Sequence, residues 1–360
     1  GGGTGNLQST GQWAVAHQAF TVSTTTTQPV SIIIGLNDDL TGLEKHEKRM
    51  QRPPRISKRF TLNKGSIGQS HTYTVPYGGL IYASTAEDNI TLNLSNTIKA
   101  PWYKLSQDGT GDWVNKIDES PAPLGEIESK TFIYTSAKKN LQATNYSGDV
   151  KKFAEELDTF SSDLNDFYAR DEDSSGSLNR KSTDPSIPNH KHRVVNDIAI
   201  SKGGAHSGYP VMWINFDPDS TKIAQNPLNS WTLWHEVGHN AAESPFAIDG
   251  SGEVVNNLLG LYMQDKHLKK MNRVERSLRI VKDQIEAETG NVWGAVGGGI
   301  RLLMFAQIKI WADKKFDIKD WYSGTLPTWY DETEGMKGWN LFKLMHRLTR
   351  NQNDPAIQLK

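Results

Sequence analysis

The sequence predicts an α+β protein in two parts: a β-sandwich-like N-terminal domain over residues 1–130, and a mostly helical domain with a small sheet over residues 131–360. Three observations carry this. Short runs with period-two alternation and β-branched residues crowd the first third of the chain, which is strand patterning. From Thr131 onward apolar residues recur at three- and four-residue spacing, which is helical patterning. And 360 residues are enough for two domains, each with its own core.

In chain order, Gln12 to Val22 mixes alternation with β-branched residues, and Val30 to Ile34 is a short apolar run; both read as strand. The polar run Thr24 to Thr27 reads as a strand end or loop. Leu40 to Arg59 is charged and holds Pro53-Pro54, so it reads as a long loop with at most one helical turn. His71 to Val75, the turn Pro76-Tyr77-Gly78-Gly79, Leu80 to Ser84 and Ile90 to Leu94 read as strands of a sandwich packed on the second domain. Pro121 to Gly125 marks the boundary region, and Thr131 to Ser136 is a strand. Val150 to Tyr168 sets Phe153, Leu157, Phe160, Leu164 and Phe167 on one helix face, as core. Arg170 to Lys191 is a polar surface loop whose Asp171, Glu172 and Asp173 lack the order of a calcium loop. Val194 to Ile200 is a buried strand. In His206-Ser207-Gly208-Tyr209-Pro210 the proline suits an edge strand, and an edge strand can pair with an extended peptide. His206, Gly208 and Tyr209 are therefore candidate substrate contacts.

Beyond the stretch Trp231 to Tyr262, Leu261 to Gly290 is helical and increasingly charged. Trp293 to Gly299 reads as a tight glycine turn with little bulk near the site. Arg301 opens a helix running from Leu302 to Lys314, where it either grips a polar group of a substrate or is a surface arginine. Met336 to Leu348 is the last helix, with His346 either facing an oxyanion or packing, and packing is the simpler reading.

Composition removes several classes of function. A net charge of -1 provides no whole-chain field for nucleic acid or an anionic membrane. With no cysteine there is no disulfide, thiol chemistry or cysteine-ligated zinc. No run approaches the ~20 apolar residues of a membrane span. Gly1-Gly2-Gly3 in place of a starting Met reads as a trimmed or tagged start, with any signal or anchor upstream. Eleven Trp is a high count, and for most of them core filling is the simpler role.

The chemistry concentrates in His235-Glu236-Val237-Gly238-His239, an H-E-x-x-H sequence. On a helix, residues four apart share a face about one 5.4 Å turn apart. His235 and His239 can thus offer two imidazoles to one ion, and Glu236 can reach a water on it. The alternative is a surface helix with solvated histidines, but Trp231, Leu233, Trp234 and Val237 give the segment a core-facing character. A catalytic zinc has three protein ligands and one open position. A third histidine six residues after His239 is excluded because Pro245 stands there, and Glu243 lies ~12 Å along the axis from His235 before Pro245 breaks the helix. Glu253 opens a second apolar-periodic run, Val254 to Leu259, which a short loop returns against the first. In its first turn Glu253 can face both histidines, giving the two-His, one-Glu set of a gluzincin; otherwise it only complements the helix dipole. Asn257, one turn on, is placed to orient a ligand histidine, with Asn256 beside it.

Trp234-His235-Glu236-Val237-Gly238-His239-Asn240 followed by Glu253-Val254-Val255-Asn256-Asn257 resembles the enhancin-like, M-sixty family of zinc peptidases. The resemblance extends to Arg52 to Phe60, Val75 to Tyr82, His206 to Met212, Leu261 to Asp265, Arg301 to Gln307 and Glu334 to Arg347. It implies one Zn²⁺ per chain held by His235, His239 and Glu253, with Glu236 as general base. It also implies a secreted or bacterial cell-surface endopeptidase that cleaves O-glycosylated host glycoproteins and mucins next to a sugar-bearing Ser or Thr. Arg301 matches a position the resemblance associates with the glycan, although Gly299-Ile300 before it departs from the family's Gly-Asp. Relatives continue beyond this sequence, so the chain reads as a fragment. The rival readings are a zinc endopeptidase with no sugar requirement and a glycan-binding adhesin with a non-catalytic zinc site.

Overall fold

A computed structural model describes residues 7–39, 53, 55–141, 149–168, 191–214, 226–242, 250–286, 296–321, 326 and 330–350. In chain order its strands begin with β1 (Gln8–Ala14), β2 (Phe20–Thr24), β3 (Val30–Ile34), β4 (Lys58–Leu62), β5 (Ser70–Tyr73), β6 (Gly79–Ser84), β7 (Leu92–Ser95), β8 (Ile98–Lys99) and β9 (Trp102–Lys104). Helix α1 (Thr110–Glu119), β10 (Leu124–Glu128), β11 (Phe132–Ala137), α2 (Val150–Phe167), β12 (His192–Asn196), β13 (Ala205–His206) and β14 (Val211–Trp213) follow. The remainder is helical: α3 (Trp231–Ala241), α4 (Gly252–Val255), α5 (Asn257–Met263), α6 (Asn272–Leu278), α7 (Val281–Glu286), α8 (Gly298–Lys315), α9 (Ile318–Trp321) and α10 (Lys337–Arg350). The fold is therefore α+β, as the patterning predicts. Contacts divide it into one unit of residues 1–158 with 182–226 and another of 159–181 with 227–360, the division falling within α2.

The first unit contains every described strand. A five-stranded sheet ordered β4-β3-β6-β1-β8 faces a three-stranded sheet, β5-β2-β7. Alternation along β3 explains the layering. Val30, Ile32 and Ile34 join Phe20, Val22 and Ile81 in the core between these sheets, while Ile33 points the other way, with Leu80 and Tyr82, toward Ala122. Both faces of the central strands are thus covered, which is why β6 is buried at five successive positions. The third sheet is ordered β13-β14-β12-β11-β10-β9 and mixes parallel and antiparallel pairs. A buried polar knot ties it to the N-terminal strands. Tyr82 and Thr135 each donate to Glu126 Oε1 at 3.0 Å. Arg193, 1% exposed, lies 3.4 Å from the same oxygen and donates to Leu7 O at 2.9 Å.

The strands Val30 to Ile34, Leu80 to Ser84 and Thr131 to Ser136 appear within a residue of their expected places. Other expectations need correcting. Gln12 to Val22 is two strands, β1 and β2, separated by a turn in which His17 takes φ 61°. Pro210 is not on an edge: it precedes β14, which lies between β12 and β13, and the edge belongs to the two-residue β13. The strand expected to reach Ile200 ends at Asn196. Between Lys99 and Leu124 the sequence reading foresaw none of β9 and α1, both short and weakly patterned. Most of the loops expected at 40–59 and 170–191, together with Glu243 and Pro245, lies outside the described residues.

The described residues of the second unit are helical. The expected helix from Leu261 to Gly290 is broken: α5 runs into a π-turn, Gln264–Leu268, which ends at Lys269 with φ 54°. The wider turn brings consecutive side chains to one carboxylate, Lys266 at 2.7 Å and His267 at 2.6 Å from Asp163. Further buried charges are similarly matched. Lys309, 4% exposed, sits 2.8 Å from both Asp265 and Asp313, and Lys343 sits 2.8 Å from Asp166. Such burial is tolerated only because each charge is paired. The expected glycine turn is also corrected, since Gly298 and Gly299 form the first turn of α8. A Cβ at Gly299 would lie 2.7 Å from Ser277 Oγ, so the missing side chain lets α8 approach α6.

Candidate metal centre

Helix α3 is fixed at its start by three local devices. The Ser230 hydroxyl accepts from Leu233 N at 3.4 Å, a capping position that suits serine. Trp234 Nε1 donates to Pro227 O at 2.7 Å. The Trp231 ring lies directly over Gly260 of α5, where a Cβ would come within 2.7 Å of it. Leu233, Trp234 and Val237 are buried, each at most 3% exposed. The opposite side of the helix is thereby left to His235 and His239, which are about one-fifth exposed.

At that face α3 and α5 pack closely, and Gly238 makes it possible: a Cβ there would stand 3.3 Å from Asn256 O. Glu253, in the short helix α4, completes the group. His235 Nε2 lies 3.1 Å and His239 Nε2 3.2 Å from Glu253 Oε2, and the two imidazole nitrogens are 3.2 Å apart. Among the described residues this is the group of three or more potential metal ligands whose donor atoms converge.

These separations test whether an ion fits. They form a nearly equilateral triangle. A point about 2.0–2.2 Å from each donor, the usual zinc–nitrogen and zinc–oxygen bond length, lies just off its plane, with angles between donors of about 100°, near tetrahedral. The imidazole planes cross at 85°. The Glu253 side chain is 74% exposed, so the group is open to solvent on that side. The donor set, two nitrogens and a carboxylate with an open fourth side, fits zinc.

Hydrogen bonding also selects the imidazole tautomer. Asn257 Nδ2 donates to Glu253 O at 2.6 Å, which fixes the amide and turns Oδ1 toward His235 Nδ1 at 2.7 Å. Oδ1 can only accept, so Nδ1 carries the proton and Nε2 presents its lone pair to the cluster. Asn256 Nδ2 stands 3.1 Å from the same Nδ1 but donates instead to His235 O at 3.0 Å, since an N–H cannot accept. Asn256 is fully buried, and its Oδ1 has no hydrogen-bond partner among the described residues. Glu236 is 8% exposed, and among the described residues its carboxylate makes no hydrogen bond or ion pair. A largely buried carboxylate with no such partner, on the residue next to His235, is equipped to exchange a proton.

Arg301, in the first turn of α8, donates through Nε to Val296 O at 2.9 Å and through Nη1 to Gly250 O at 2.8 Å. It thus braces the turn that leads through Ser251 into Glu253, a role the sequence reading did not assign it. His346 is 1% exposed and meets the Phe167 ring edge-on and the Tyr168 ring at a tilt, so it packs. His206, Gly208 and Tyr209 belong to the first unit. His206 Nε2 lies 2.8 Å from Asp39 and 3.3 Å from Ser201 Oγ, and Nδ1 lies 2.8 Å from Ser207 O. Gly208 takes φ 133°, and Tyr209–Pro210 is a cis peptide. Burial raises the Tyr209 phenol above its ordinary range, against the opposing pull of the Arg193 guanidinium. Partners such as Asp39 for His206 and Gly250 for Arg301 were invisible beforehand, because the residues are far apart in sequence and share no motif.

With this geometry established, similarity to known proteins becomes informative. The model of the family described as peptidase M60, enhancin and enhancin-like, matches residues 96–357. The chain belongs to the M60 peptidase family. Residues 2–99 match the N-terminal domain of M60-like peptidases. As an M60 metallopeptidase the chain has a family that implies a metal ion. It is 56% identical to accessory colonization factor AcfD of Vibrio cholerae over 99% of its own length and 23% of that protein's. It is 50% identical to YghJ of Escherichia coli, a protein named as a lipoprotein, over 96% of its length and 22% of that protein's. The chain therefore spans less than a quarter of these relatives. It shares its fold with IMPa of Pseudomonas aeruginosa in complex with an O-glycopeptide, at TM-score 0.67 and 16% identity, covering 97% of this chain and 42% of that one.

Proposed function

We propose that this M60 domain is a zinc metalloendopeptidase that cleaves O-glycosylated proteins of the mucin type, next to a sugar-bearing Ser or Thr. One observation supports it above the others: the lone pairs of His235 and His239 and a Glu253 oxygen converge within bonding range of one ion, on the helix that also carries Glu236. A zinc ion bound there would supply Lewis acidity, lowering the pKa of a water toward ~7 and polarising a substrate carbonyl. Glu236 takes the proton of the attacking water and delivers it to the leaving amine. Asn257 holds the His235 ring and its tautomer, and Asn256 holds the His235 backbone. Arg301, His206, Gly208 and Tyr209 are our proposed substrate contacts; Arg301 rests on the family resemblance, and its brace on Gly250 puts it beside the turn that carries Glu253.

The O-glycan requirement is supported by the IMPa–O-glycopeptide complex, whose fold this chain shares. A secreted or surface location is supported by the lipoprotein name of YghJ and the colonization-factor name of AcfD. The deciding experiment takes a peptide with one O-linked N-acetylgalactosamine and its bare twin, incubates each with wild type and Glu236→Ala, and reads products by mass spectrometry. Cleavage of the glycosylated peptide alone, beside the sugar and only by wild type, is expected, with zinc retained in Glu236→Ala. Cleavage of both peptides removes the sugar requirement, and equal activity of Glu236→Ala refutes the general-base role.

A further inference from the structure

The first unit has a cavity of about 540 Å³, within the range of ~300–1,000 Å³ common for small-ligand sites. Its apolar lining is Ile33 of β3, Leu36 just beyond that strand, Tyr209 and Pro210. Its other wall is the start of β4, the outermost strand of the five-stranded sheet, and it is cationic, with Arg55, Lys58 and Arg59. One carboxylate shares the cavity, Asp38, and it already accepts the Ser57 hydroxyl at 2.6 Å. Lys58 and Arg59 make no ion pair among the described residues. Apolar side chains lining the same cavity as cations are unlike a solvated basic edge, where lysine serves to keep strands apart.

We infer that this cavity is a binding site for an anionic sugar, a single ring bearing a carboxylate or a sulfate ester. Arg59, which pairs with Ile33 across β3 and β4 and shares its face of the sheet, takes the anion, its guanidinium being suited to a planar carboxylate or to two sulfate oxygens. The apolar face of the ring lies on the tyrosine and proline wall, where amphipathic side chains offer contact area at low entropic cost. The site shares Tyr209 with the substrate contacts proposed above, contains none of the three converging residues, and is read by binding alone.

The test is calorimetric titration of the whole chain with sialyllactose, with 6-sulfo-N-acetylglucosamine and with lactose. Three forms are compared: wild type, Arg59→Gln, and the charge-keeping Arg59→Lys. Each is checked for an unchanged thermal transition. The expected result is binding of at least one anionic sugar, at least tenfold weaker in the Gln variant, retained in the charge-keeping one, and weakened by 0.5 M salt because the cations are solvent-facing. Preference between the two anionic sugars identifies carboxylate or sulfate as the source. Equal binding of lactose, unchanged affinity in the Gln variant, tighter binding of an acidic peptide of equal charge, or no binding at millimolar sugar each overturns the inference.

Discussion

Replacing Asn257 with alanine separates a metal-holding arrangement from an accidental approach of two helices. The change deletes two hydrogen bonds: the acceptor for His235 Nδ1–H at 2.7 Å and the donor to Glu253 O at 2.6 Å. Each such bond contributes a net ~0.5–1.5 kcal/mol. The second lies at a solvent-exposed position and belongs to the lower part of that range. Together they amount to about 1–2.5 kcal/mol, which corresponds to roughly 5- to 70-fold in a dissociation constant and overlaps the ~10–100-fold typical when the partner of a ligand histidine is removed. Without Asn257 the His235 ring can rotate, and its other tautomer, protonated at Nε2, cannot ligate. Zinc affinity is measured by competition with a chromophoric chelator, and thermal melting of the metal-free protein checks the fold. Asn257→Asp supplies the discriminating control, since its carboxylate accepts from Nδ1–H as well as the amide does and should hold zinc more tightly than the alanine variant. Unchanged zinc affinity in Asn257→Ala, with the fold intact, refutes the reasoning.

Three other perturbations follow from the same structure. Gly260→Ala places a methyl 2.7 Å from the Trp231 ring, so despite a better helix propensity it should destabilise by ~1–3 kcal/mol through overpacking, read from urea denaturation. Lys343→Met strands the Asp166 carboxylate with only the Tyr262 hydroxyl and the more distant Lys266, 4.0 Å away. Removing one partner of a buried pair costs about 3 kcal/mol, and a melting temperature equal to wild type would contradict it. The third concerns acid. The Tyr330 hydroxyl, 2.5 Å from Asp317, is the main reason that carboxyl is held below its ordinary range. A depressed folded pKa stabilises above the unfolded value of about 3.9, and the contribution is lost as pH falls through the folded value. Tyr330→Phe should therefore be less stable than wild type at pH 7, with the difference closing below pH 4; a constant difference down to pH 2 would exclude the linkage.

The parts of this molecule that were legible in the sequence are those governed by period. The three isoleucines and one valine of β3 alternate between two cores, and the phenylalanines and leucines of α2 recur on one face; both patterns lie within single elements and need no knowledge of the rest of the chain. His235 and His239 belong to the same class, because spacing on one helix alone brings their nitrogens to 3.2 Å. Glu253 was reachable by a longer chain of reasoning, in which a proline ends one helix and an acidic residue opens the next. What spacing could not give is how close the helices come. That depends on Gly238 and Gly260, where absent side chains admit Asn256 O and the Trp231 ring.

Arg301 shows where such reading stops. Its position at a helix start is visible in the sequence, and a charge at a helix start suggests either a ligand or solvent. The structure adds a third use, two backbone carbonyls, one of which belongs to the turn before Glu253. No local pattern encodes this, since Gly250 contributes only its carbonyl oxygen and any residue could do the same. The same holds for the pairing of Lys266 and His267 with Asp163, which requires a π-turn that periodicity reads as ordinary helix. Converging histidine and carboxylate side chains are therefore easier to find than the residues that position them. The ligands must be histidine or carboxylate at fixed spacing, whereas a brace can be built from any donor that reaches a carbonyl.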